Sequence, residues 1–123
     1  MLLKDFYQVE QLEKTDEGKF KATVVLNKQH AIFKGHFPGN PVTPGVCMMQ
    51  IIKELTQEIL GSSLIMTQSS NVKFMALINP DVNPVLNLDL EISGDLASEV
   101  KVKNTTSFES TVALKLTNTY KKA

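Results

Sequence analysis

The segment from Pro44 to Leu60 limits the fold of this chain more than any other part of it. Both of its ends are signalled. Thr43 offers a capping hydroxyl, Pro44 suits the first helical position, where no N–H is needed, and Gly61 suits the left-handed residue after a helix C-terminus. Between them Met48, Ile51, Ile52, Leu55 and Ile59 cover one broad face, while Gln50, Lys53, Glu54 and Gln57 fall on another. The first two turns, Val46 to Ile52, are apolar almost all round apart from Gln50. A helix that begins this apolar has to be wrapped, and the partner available is a sheet built from the strands on either side of it. The fold class that follows is α+β: one long central helix held in one curved antiparallel sheet of about five to six strands.

The flanking segments alternate with a period of two. Phe20, Ala22, Val24 and Leu26 are interleaved with Lys19, Lys21 and Thr23, and Asp16-Glu17-Gly18 before them is turn chemistry, so Asp5 to Thr15 is the preceding strand of a hairpin. Leu86, Leu88, Leu90 and Ile92 against Asn87, Asp89 and Glu91 give the clearest strand, closed by Ser93-Gly94-Asp95. Val100 and Val102, then Val112, Leu114 and Leu116, add two more, and a further strand runs within Leu64 to Leu77. There is no repeat, linker or low-complexity tract, which predicts one domain over residues 1–123.

Charge narrows the function. Thirteen Lys+Arg balance thirteen Asp+Glu, whereas gripping a phosphate backbone needs a clustered basic excess, so nucleic acid is not the expected partner. The longest apolar run is too short to cross a bilayer, and Met1-Leu2-Leu3-Lys4-Asp5 lacks the pattern of a secretory signal; a cytoplasmic location is expected, without membrane association. The single cysteine, Cys47, forms no internal disulfide, and with His30 and His36 it has no metal-ligand spacing, so neither metal nor other cofactor is expected.

The join between strand and helix, Gly35 to Val46, carries three prolines and three glycines in twelve residues. It is an irregular but rigid loop, with His36 just ahead of the free N–H groups of a helix start, and that combination suits chemistry. The run His-Phe-Pro-Gly-x-Pro-Val-x-Pro-Gly-Val over His36 to Val46, followed by an apolar helix, resembles the active-site signature of the hot-dog-fold 3-hydroxyacyl-acyl carrier protein dehydratases of fatty acid synthesis (FabA/FabZ type). Asn71-Val72-Lys73-Phe74 through Asn79-Pro80 sits where that family has a further strand and turn, so the resemblance in layout extends along essentially the whole chain.

The resemblance implies a hot-dog fold and elimination of water from a 3-hydroxyacyl thioester carried on acyl carrier protein or coenzyme A. It implies His36 as the base, its other ring nitrogen held by the Val42 carbonyl, the amides of Gly45 and Val46 as donors to the thioester oxygen, and Phe37 among the substrate-binding residues. A neutral imidazole is a suitable base near pH 7, and helix-start amides are suitable oxyanion donors. One position departs from the family pattern. The family's acid, Glu or Asp, lies fourteen residues after the histidine and reaches a histidine of the other protomer, with a Gln one turn later; here the pair reads Gln50 and Glu54, inverted. An amide cannot supply a proton at neutral pH, and Glu54 is displaced by roughly 5.4 Å, one turn. Loss of general-acid help typically removes about 10² to 10⁴ in rate.

A homodimer or a heterodimer with a related chain is expected. Three alternatives accompany the dehydratase reading: a non-autonomous partner of a heteromeric dehydratase, a thioesterase using a helix carboxylate, and a catalytically silent acyl-binding module. Met48, Met49 and Met75 are read as core filling more readily than as tunnel lining, Cys47 as a small buried residue, His30 as structural or solvent-facing, and Lys53 as a surface contact for an acidic carrier.

Overall fold

The computed structural model describes residues 5–35 and 41–123, without the side chain of residue 35. Six strands, β1 (Tyr7–Asp16), β2 (Lys19–Leu26), β3 (Leu64–Phe74), β4 (Val85–Gly94), β5 (Val100–Phe108) and β6 (Thr111–Lys122), form one sheet in the order β1-β2-β4-β5-β6-β3. Every neighbouring pair is antiparallel. A short helix α1 (Ile32–Gly35) precedes the long one, α2 (Gly45–Leu60).

Alternation decides which face of the sheet is dry. Ala22, Val24 and Leu26 of β2, Leu86, Leu88 and Leu90 of β4, and Val100 and Val102 of β5 are buried, and their polar neighbours face out. Against that concave face α2 packs Cys47, Met48, Ile51, Ile52, Leu55 and Thr56. Burying each large aliphatic of this set contributes about 1.5–3 kcal/mol, which outweighs the indifferent propensity of the isoleucines for helix. Thr56 satisfies its hydroxyl by donating to the Ile52 carbonyl at 2.7 Å, and Ile59, expected on the core face, is only half-buried against it.

The helix ends as expected and starts differently. Gly61 is left-handed at φ 66° and its N–H donates to the Gln57 carbonyl. The Gln57 side chain then accepts from the Leu64 N–H at 2.8 Å, tying the start of β3 to the helix. At the other end the cap position is Pro44, one residue later than expected, and no side chain caps the helix. The Thr43 N–H is drawn to the Ile78 carbonyl at 2.9 Å, which holds Thr43 outside the helix, with its hydroxyl buried and without a partner among the described residues. A buried unsatisfied hydroxyl costs about 1–3 kcal/mol. Thr43→Val, which keeps the shape and removes the polar atom, is therefore expected to stabilise the protein by about 1 kcal/mol, read as a higher urea midpoint at unchanged slope. A lower midpoint would mean that the hydroxyl is satisfied in solution.

The two sheet edges differ. β1 carries Glu10, Glu13 and Lys14 and is blunted by charge, whereas β3 exposes apolar groups on both faces, with Ile65 56%, Met66 42%, Val72 38% and Phe74 55% exposed. Lys73 and two irregularities in its pairing with β6 interrupt β3, and its exposed apolar ends remain a template for pairing with another chain. Among the described residues no helix is long and apolar enough to cross a membrane.

Candidate active site

The start of α2 lies against the end of β3. The Cys47 and Met48 N–H groups both reach back to the Pro44 carbonyl, at 3.0 and 3.3 Å, so the two helix amides left without a partner among the described residues are those of Gly45 and Val46. The approach is close at Gly45, where a Cβ would stand 2.8 Å from the tip of the Phe74 ring, which would have to move aside. Between the two segments opens a cavity of about 450 Å³ lined by Val42, Thr43, Pro44 and Gly45 on one side and by Phe74, Met75, Ala76, Leu77 and Ile78 on the other. Its wall is mostly apolar, and the positive end of the helix dipole borders it. Val46 stands outside the lining, 65% exposed.

Val46, Gln50 and Glu54 follow at intervals of four on one stripe of α2. Gln50 Nε2 donates to Glu54 Oε2 at 2.9 Å, and the Tyr7 hydroxyl, from β1, donates to Glu54 Oε1 at 2.7 Å. All three side chains are half-buried. Burial foremost, then the hydrogen bond to Glu54 and the negative charges of Glu54 and Glu58, push the Tyr7 phenol above its usual range, so it stays protonated and remains the donor. Glu54 is thus neither a solvated surface carboxylate nor an acid reaching outward on its own.

Of the residues singled out in the sequence, Val42 and Gly45 line the cavity, Val46 adds its amide, and Gln50 and Glu54 are joined to each other. His36 and Phe37 lie outside the described residues. Met48 is wholly buried core, Met49 packs half-buried against it, and Met75 lines the cavity. Cys47 is buried, and desolvation raises its thiol above the usual value, the opposite of what a nucleophile needs. His30 accepts the Ile32 N–H on Nδ1 at 3.1 Å and stands edge-on to Phe6, which gives it a structural place at the start of α1. Tyr7 and the cavity wall formed by Phe74 and residues 76–78 went unnoticed in the sequence. The four-residue spacing of Gln50 and Glu54 was the only available signal of the tether.

The model of the ApeI-like family, described as ApeI dehydratase, matches residues 11–115. The chain belongs to the ApeI-like dehydratase family. This family is of the FabA/FabZ-like hot-dog type. The chain is 33% identical over 99 residues to a 3-hydroxyacyl-[acyl-carrier-protein] dehydratase FabZ of Clostridium acetobutylicum, covering 75% of this chain and 66% of that protein. It is 27% identical over 111 residues to a FabZ of Lactobacillus helveticus, covering 81% and 75%. In fold it is similar to a chain of the dehydratase heterocomplex ApeI:P from Xenorhabdus doucetiae, with TM-score 0.74, 18% identity and coverage of 94% and 97%. A hypothetical thioesterase with coenzyme A from Streptococcus pneumoniae has the same fold, at TM-score 0.65 and 16% identity over 95% and 85% of the two chains. The fold is therefore the hot-dog fold expected from the motif.

Proposed function

We propose that this family member acts on 3-hydroxyacyl groups carried as thioesters on acyl carrier protein or coenzyme A, and that it takes part in eliminating water from them. The observation that carries this reading is the pair of amides, Gly45 and Val46, that have no partner among the described residues and lie beside an apolar cavity at the end of the histidine-bearing motif. In that reaction His36 takes the C2 proton on its imidazole, negative charge develops on the thioester oxygen against the two amides, and the C3–O bond breaks. The C2=C3 double bond forms as it breaks, and the hydroxyl leaves as water on a proton supplied by the acid that completes the site. Helix amides preorganised at the developing oxyanion are usually the largest single contribution to such a step. Residues of the cavity wall, Met75 and Leu77 among them, hold the start of the acyl chain.

The proton for the leaving hydroxyl is the step this chain is least equipped for, because Gln50 stands in the acid position and both oxygens of Glu54 accept hydrogen bonds. That favours a site completed by a related second chain over a thioesterase, whose helix carboxylate would have to reach its substrate. The apolar edge of β3 supports pairing. In sedimentation at micromolar concentration the chain is expected to run as a species of at least two subunits, and a single 13.6 kDa species would sink the pairing. Activity is tested by giving the chain a 3-hydroxyacyl thioester, alone and with a related dehydratase chain that carries the acid. The expected result is 2-enoyl thioester, formed at least roughly tenfold faster in the mixture. Hydrolysis of saturated acyl thioesters without any enoyl product would replace this reading by the thioesterase one.

A further inference from the structure

Tyr7, on β1, is 47 residues from Glu54 in sequence, yet its hydroxyl is the shortest contact that Glu54 makes among the bonds described, at 2.7 Å. A carboxylate oxygen can only accept from an amide. With Glu54 fixed by Tyr7 on Oε1, its Oε2 therefore obliges Gln50 to turn Nε2 inward, where it sits at 2.9 Å. The other end of the amide, Oε1, is turned away from the tether. We propose that Tyr7 is a positioning residue of this site: through Glu54 it sets the amide of Gln50 so that helix α2 presents a hydrogen-bond acceptor to its ligand. The ligand that fits an acceptor there is one with a donor on C3, an alcohol. A 3-oxo group, which can only accept, meets Oε1 lone pair to lone pair, and an unsubstituted chain leaves Oε1 unpaired. The inference rests on the reading of the chain as one that handles 3-hydroxyacyl thioesters and adds how the hydroxyl is recognised.

Binding to three pantetheine thioesters separates the possibilities: 2,2-dimethyl-3-hydroxyacyl, 2,2-dimethyl-3-oxoacyl and 2,2-dimethylacyl, none of which has a C2 proton to lose. The wild-type chain, in whatever oligomer it forms, is expected to bind the hydroxy compound roughly three- to tenfold tighter than the oxo compound, the worth of one neutral hydrogen bond. In Glu54→Ala the ratio falls to about one, because the freed amide turns to suit either ligand, and in Tyr7→Phe it falls part of the way. A Tyr7 with only a packing role would lower all three affinities together and leave the ratio as in wild type; that result overturns the proposal. The side-chain amide of Gln50 is followed by NMR in the same proteins without ligand. It is expected to shift in Tyr7→Phe and further in Glu54→Ala, and an amide signal identical in all three also overturns it. If wild type binds none of the three compounds, the 3-hydroxyacyl reading fails, and the NMR series alone decides whether Tyr7 positions Gln50.

Discussion

His36→Ala is expected to lower kcat for dehydration of a 3-hydroxyacyl thioester by about 10² to 10⁴, the usual worth of a positioned general base. The effect belongs in kcat, because the proton is transferred in the transition state, while KM, set by the cavity and the acyl chain, changes little. The measurement uses the assembly that is active, the chain alone or its complex with a related chain, so that there is a rate to lose. Unfolding is not expected to account for it: among the described residues the core is made by the inner faces of β2, β4, β5 and β6 and by the side of α2 bearing Met48, Ile51 and Leu55. Equal rates in wild type and variant would make His36 a structural residue and remove the chemical basis of the dehydratase reading. A thermal midpoint far below wild type would assign His36 a structural role as well.

The sheet and the central helix were legible because their signals are local and repeated. Leu86, Leu88 and Leu90 alternate without a break, and Met48, Ile51, Ile52 and Leu55 recur at helical spacing; both sets are buried in the structure. Gly61 was legible for a steric reason, since a left-handed residue is cheap only without a Cβ. Thr43 misled because residue type alone suggests a cap, while the competing bond from its own N–H to Ile78, thirty-five residues on, cannot be read from a sequence. Helix α1 is four residues long and leaves no period to detect. At the site the motif marked Gly45 and Val46, and the spacing marked Gln50 and Glu54 as neighbours. What the spacing could not give was Tyr7, which reaches the pair only because β1 folds back along the sheet. That one contact ties Glu54 to β1 and, with the bond from Gln50, occupies both of its oxygens.

The inverted pair can be put back in family order with every hydrogen bond retained. In Gln50→Glu/Glu54→Gln the new amide at position 54 can accept the Tyr7 hydroxyl on its oxygen and donate through its nitrogen to a carboxylate at position 50, so both contacts are kept while the bond between positions 50 and 54 reverses its direction. This double variant is expected to raise kcat for dehydration by one order of magnitude or more, since a carboxyl group then stands where the leaving hydroxyl needs a proton. Gln50→Glu alone should gain less and lose stability. It replaces a contact of 2.9 Å between an amide and a carboxylate by one between two carboxylates, and like charges that close cannot both ionise without cost. Glu54→Gln alone supplies no acid at position 50 and should show no gain. The three variants are compared with wild type in one assay of enoyl formation, beside urea unfolding of each. A Gln50→Glu single variant as fast and as stable as the double one would show that Glu54 and Tyr7 do not govern position 50. A loss of activity in Glu54→Gln, with no gain from Gln50→Glu, would instead make Glu54 the working acid. The substrate would then have to lie about one helical turn, roughly 5.4 Å, further along α2.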